Sequence, residues 1–261
     1  MSEQPVTSEQ TPSVEPEGQE KLSFMDKAAG VFYEPSKVFE SVKKSGPKFT
    51  DWFVPVLLLA IVTSIATYVR MTSPDLASQF RQMQEQRIDK MVADGKMPAD
   101  QAQQAKDRMD SASGIVAAIS SISALIAVFI FFFIISAVIL LIGRLALKGS
   151  GITYAHAMVV SGIPTWIGVV GAIIGIVISV MFSRFDGGLH LGMFVQMNTS
   201  DKTYSLLKSA DLFTIWSLAA SSIGIGTLSG KKGLLPIAWI FGVWIVIVLL
   251  FVFPLAGVFG G

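Results

Sequence analysis

Cysteine is absent from all 261 residues. That removes disulfides, thiolate metal sites and thiol nucleophiles together, and leaves the redox compartment open. Histidine occurs only twice, as His156 and His190, so there is little scope for metal binding or proton relay. Charged residues make up 15% of the chain, against about 25% in soluble domains. The formal net charge is +1, which gives no global pull toward nucleic acid. The first twenty residues lack an apolar core of the kind a signal peptide needs, so the first spanning helix is expected to serve as its own insertion signal. Neither HExxH, a Walker loop nor GxGxxG occurs.

What the chain does have is long apolar runs. The hydrophobic fraction is 52% and the mean hydropathy is +0.60. Leu234–Phe253 contains no charge. Twenty residues at about 1.5 Å rise make about 30 Å of helix, the thickness of a bilayer core. The preceding run, Leu212–Leu228, is interrupted only by hydroxyls and glycines. Ser229-Gly230-Lys231-Lys232-Gly233 separates the two and is long enough only to turn the chain. The pair therefore reads as a transmembrane hairpin.

Three more spans precede it, at about residues 53–69, 114–142 and 157–182; the hairpin occupies about 211–228 and 234–253. The expected fold is all-α: a polytopic membrane bundle of about five transmembrane helices, with N-terminal amphipathic helices and an extramembrane helical hairpin. Residues 1–22 form an acidic tail with five glutamates before Lys21, expected to be disordered. The membrane domain covers 23–258. Residues 71–113 form a polar insertion of two helices joined near Asp94-Gly95, with a Met-bearing stripe through Met83 and Met91. That insertion reads as a solvated cap or as a soft surface for a partner.

Between the tail and the first span, Ser23 and Asp26 pair as a helix start, and Pro35 suits the first turn of a second helix. Val38, Phe39 and Val42 face one way, with basic residues on the other. Such helices either lie on the membrane surface, with Lys37, Lys43, Lys44 and Lys48 on anionic headgroups, or pack beneath the bundle. Trp52 and Phe53 sit where an interfacial aromatic belt is expected. In the third span, Pro164 is expected to free the carbonyl of Val160 and bend the helix. Gly171 and Gly175 form a small-residue groove for close helix approach, matched to the Ser217, Ser221 and Gly224 face of the fourth span.

Ionisable residues inside a span are the default functional candidates. Here Arg70, Arg144, His156, Arg184 and Asp211 all read as helix ends, and Asp211 suits a helix cap. Ser161 has no histidine placed as a base. Asp186 and His190 lie four apart, but Gly187-Gly188 between them argues against a helix that would pair them. No catalytic residue, metal site or cofactor is expected, and the chain does not read as an enzyme.

Asp211 opening a helix, Trp216 in IWSL, the GIG of Gly224 to Gly226 and the basic turn after it resemble the Yip1 domain, in particular its bacterial branch. YEPSKVFESV before the first span and YAHAMVVSGIPTWIG in the third resemble the same family. The resemblance covers about residues 23–258. It implies a multi-pass protein of the bacterial cytoplasmic membrane with a cytosolic N-terminus. The density of basic residues in the short, acid-poor flanks points the same way. Eukaryotic members of the family are linked to Rab GTPases and vesicle traffic. The expected function is a non-enzymatic membrane-organising or protein-interaction component, whose partners are membrane lipids and an unidentified protein. A small-solute transporter or channel is the alternative, with Ser217, Ser221 and Ser222 as its only polar hints.

Overall fold

A computed structural model describes residues 22–111, 113–197 and 201–252. The acidic tail up to Lys21, Ala112, residues 198–200 and the stretch from Phe253 onward lie outside the described residues.

Two short helices come first. In α1 (Phe24–Gly30), Ser23 and Asp26 cap the end reciprocally, as the spacing predicted. Helix α2 (Pro35–Ser45) starts on its proline. Five helices are then long and apolar enough to cross a membrane: Phe49–Thr72, Gly114–Ala146, Tyr154–Met181, Leu212–Ser229 and Leu234–Val252. The first is α3 (Phe49–Thr72). The polar insertion folds as α4 (Pro74–Ala93) and α5 (Ala99–Ser111), clasped by Lys106 on Asp89 at 2.7 Å. The second span, α6 (Ser113–Leu141), widens into a π-helical turn over Ile142–Ala146. The third is α7 (Tyr154–Gly162) followed by α8 (Thr165–Met181), and short α9 (Lys202–Ser209) leads to the hairpin α10 (Leu212–Ser229) and α11 (Leu234–Val252).

The break between α7 and α8 falls at Pro164, where the sequence places it. Proline has no N–H, so the carbonyl of Val160 loses its helical donor. Ser221 Oγ of α10 lies 3.4 Å from that carbonyl, and Ser217 Oγ lies 3.3 Å from the carbonyl of Pro164. Ser221 thus satisfies the carbonyl freed by the kink, whereas the Pro164 carbonyl that Ser217 meets also accepts from the Ile167 amide at 3.0 Å. Ser217 and Ser221 face this kink rather than the Gly171 and Gly175 groove.

Helix α3 is the hub, packed on α6 and on the third span. Trp52 meets Gly162, Leu59 meets Gly168, and Arg70 meets Ser179. These pairs keep almost one spacing in sequence, so α3 and the third span run parallel. Against α6 the pairing reverses: Trp52 stacks on Phe132 at 5.3 Å, and Ser64 Oγ donates to the carbonyl of Ser121 at 2.9 Å. Trp52 is therefore a core residue rather than part of an interfacial belt.

The N-terminal segment packs beneath the bundle. Val38, Phe39 and Val42 are fully buried. Phe24 meets Trp166 edge-on, and Phe32 meets Trp216. Lys27 and Asp51 form an ion pair at 2.6 Å with both side chains buried. Asp51 lies inside α3 because that helix starts at Phe49, four residues before the apolar run suggests. The span interior therefore does begin with a buried carboxylate. Its partner is 24 residues away on another helix, which helical spacing within one segment does not reveal.

Candidate functional site

At the end of the bundle that carries α4 and α5, the segment joining α8 to α9 folds back over the spans. It encloses a cavity of about 420 Å3. Helix α3 contributes Thr63, Thr67 and Arg70; α8 contributes Gly171 and Gly175; the loop contributes Asp186 and His190. Lys208 and Asp211 complete the wall.

The glycines explain how a loop comes this close. A Cβ at Gly187 would stand 2.4 Å from the backbone nitrogen of Ser179 and 2.7 Å from the carbonyl of Gly175. A Cβ at Gly175 would stand 3.0 Å from the carbonyl of Gly187. Gly175 therefore receives a loop, whereas Gly171 receives the ring of Phe213 at the start of α10, 2.7 Å from where its Cβ would be. The small-residue groove is present, but only Gly171 meets the fourth span, and at Phe213. Gly224 packs on Phe39 of α2, and Gly226 on the turn at Lys231 and on Pro236.

Asp186 organises the loop. Arg184 grips its carboxylate with two nitrogens, each at 3.2 Å, and the Tyr204 hydroxyl donates to it. Burial works to raise the Asp186 pKa, but the hydrogen bonds from Arg184 and Tyr204 outweigh it. The carboxyl sits below its usual 3.8. Burial, then the Asp186 carboxylate, push the Tyr204 hydroxyl well above the usual tyrosine value, so it stays a donor. His190 Nε2 donates to the Asp186 carbonyl at 2.8 Å, which fixes the tautomer, and its buried Nδ1 has no partner among the described residues. Gln79 of α4 closes the outside: its Nε2 donates to the Ser183 carbonyl and its Oε1 accepts from the Phe185 amide.

Both acids are thus engaged. Asp186 is neutralised by Arg184, and Asp211 caps α10 by accepting from the Thr214 amide at 2.9 Å. Two cations have no such partner. Arg70 Nε donates to Ser179 Oγ at 3.1 Å, and its terminal nitrogens make no hydrogen bond among the described residues. Lys208 stands exposed at the mouth. Desolvation still lowers its pKa, the Asp186 charge partly offsets this, and Arg70 and Arg87 add like-charge repulsion. The wall has a surplus of positive charge in a partly enclosed, low-dielectric space.

A pH experiment checks the role of Asp186. Its folded pKa is depressed, so its contribution to stability is present above the ordinary value of 3.8 and lost as pH falls through the lower folded value. The wild-type melting temperature is expected to fall in that window more steeply than that of Asp186→Asn. Identical slopes would show that the carboxylate is not held in this network.

Of the residues singled out in the sequence, the fold brings Gly171, Gly175 and Asp211 to this cavity. Pro164 lies at the kink, with Trp216, Gly224 and Gly226 toward α1, α2 and the hairpin turn. Lys37 pairs with Glu34, Lys43 donates to the Thr227 carbonyl, and Lys44 and Lys48 are exposed, all at the opposite end. In the sequence Arg70 reads only as a helix end and the Asp186–His190 pair is set aside, while nothing there singles out Lys208 or Tyr204. The Gly-Gly between that pair was the usable signal: it excludes a helix, but it also lets a loop bend tightly and touch a helix backbone.

The Yip1 domain profile matches residues 29–256. The chain belongs to the Yip1 domain family. No curated protein and no solved structure matches it. The matched stretch runs from the end of α1 through α11, so the cavity, the kinked third span and α2 lie within the Yip1 domain. Among the described residues, no group of three His, Asp or Glu side chains converges as a metal site.

Proposed function

We propose that this Yip1-domain protein is a non-enzymatic membrane component that holds its extramembrane helices as fixed surfaces for a protein partner and for lipid headgroups. The observation that carries this reading is that the polar helices are clamped to the bundle at both ends. Lys27 and Asp51 tie α1 to α3, and Gln79 ties α4 to the loop after α8. The exposed lysines Lys37, Lys43 and Lys44 on α2, with Lys48 just after it, stand where anionic headgroups would meet them. In this reading the N-terminus is cytosolic and the membrane is the bacterial cytoplasmic one, so that α4 and α5 face the other side. Against the transporter alternative, Ser217 and Ser221 lie on backbone carbonyls at the kink and Ser222 donates to the Leu218 carbonyl of its own helix, which favours the non-transport reading.

The cysteine-free chain permits one direct experiment. Single cysteines at Gln101 and Lys231 are placed in intact cells. An impermeant maleimide is expected to label the first and not the second. A photo-crosslinker on the Gln101 cysteine is expected to give a discrete protein adduct that disappears when Met83 and Met91 become Ser. Reversed labelling would invert the orientation. Saturable solute flux through purified protein in sealed liposomes, sensitive to Ser217→Ala, would overturn the non-transport reading.

A further inference from the structure

The polar cavity does not stand alone. A second space of about 480 Å3 lies between α3, α6 and the third span, lined almost wholly by apolar side chains such as Val56, Leu59, Ala127 and Phe131. Thr63 lines both. On α3, Val56, Leu59, Thr63, Thr67 and Arg70 follow at three- and four-residue steps, which is one helix face. On the parallel third span, Thr165 borders the apolar space and Ala172 and Gly175 border the polar one, again on one face. The two spaces are therefore successive parts of one seam between parallel helices. Gly168 separates them, and a Cβ added there would stand 3.8 Å from Leu59.

We infer that this seam holds one anionic phospholipid, with its phosphate at Arg70 and Lys208 and one acyl chain running past Thr63 toward Val56. Three features specify the occupant. The polar end has surplus positive charge: Arg184 offsets Asp186, to which Tyr204 also donates, and this leaves Asp211, engaged as the α10 cap, against both Arg70 and Lys208. A guanidinium with free terminal N–H groups suits phosphate, which it can grip with two parallel bonds. The far end is apolar and offers an ion nothing, so a free phosphate matches only half of the seam. From Arg70 to Val56 the helix rises about 21 Å, enough for a chain that crosses one leaflet of about 15 Å. An anionic lipid is favoured over a zwitterionic one because a choline group would add a third cation beside Arg70 and Lys208. This inference concerns the lipid seam and stands whether or not a protein partner exists.

The test is native mass spectrometry of the purified full chain, exposed to mixed micelles holding dioleoyl phosphatidylglycerol or dioleoyl phosphatidylcholine. One phosphatidylglycerol is expected to stay bound, roughly tenfold more than phosphatidylcholine, as two nearby cations can supply. Arg70→Gln with Lys208→Gln is expected to bring retention down to the phosphatidylcholine level. Ala127→Phe fills the apolar end without touching either cation and is expected to reduce retention as well. It decides the matter if the charge variant does not fold. Equal retention by the wild type and a folded variant of either kind would overturn the inference, as would equal retention of the two lipids. Inorganic phosphate at millimolar concentration is expected to leave the bound lipid in place. Displacement by it would identify a free-anion site instead.

Discussion

Replacing Asp51 with Ala is expected to destabilise the folded protein by about 3–5 kcal/mol, the usual cost of leaving a buried charge without its partner. Lys27 is 2% exposed and its ammonium sits 2.6 Å from the lost carboxylate. Both side chains are almost completely sealed from solvent, so the penalty is not softened as it is for surface pairs. Replacing both residues, Lys27→Met with Asp51→Leu, is expected to be close to neutral, because an apolar pair of similar volume avoids desolvation of two ions. Thermal unfolding in detergent micelles measures both. A loss below about 1 kcal/mol for Asp51→Ala would place the pair in solvent. The single variant should also free α1 and α2, seen as faster amide exchange in that segment. The lysines of α2 would then no longer be presented in a fixed array.

Gly162→Ala is expected to be nearly as damaging, at about 3 kcal/mol, the upper part of the range for overpacking. The added methyl would stand 2.4 Å from Trp52 Cβ and 2.5 Å from its Cα. A side-chain tip can rotate away, but a backbone atom of a packed helix cannot. The indole is also held, stacked on Phe132 with only 10° between the planes. The third span and α3 would have to separate along the whole parallel seam. Gly168→Ala is the internal control. There the nearest atoms are Leu59 methyls at 3.8 Å and 4.0 Å, so a change within about 0.5 kcal/mol is expected. Equal effects at the two glycines would mean that Gly162 does not mark the close crossing. Gly162 has no special backbone angle and no small-residue repeat around it; only the neighbour it meets makes it different.

The sequence by itself determined the membrane class, the five spans, the helical caps and the break at Pro164. These depend on short-range physics: an apolar run long enough for a bilayer, an oxygen within reach of an orphan amide, a ring without an N–H. The same physics correctly made Asp211 a cap and Ser23 with Asp26 a capping box. The tertiary structure decided everything that requires two distant segments to meet. It placed Asp51 inside the first span helix and supplied Lys27 to pair with it. It turned Trp52 from the expected interfacial belt into the core. It also set Gly175 against a loop rather than a helix, and it gave Ser221 a purpose by presenting the carbonyl that Pro164 releases. The cationic cavity belongs to this second group. Arg70 ends its helix, as its position implied, but a charge at a helix end is solvated or enclosed according to what folds over it. That cover is the Arg184–Gly192 loop, whose two adjacent glycines forbid a helix locally and permit backbone contact with α8. Periodicity registers the first effect, whereas the second exists only once α8 is there to be touched.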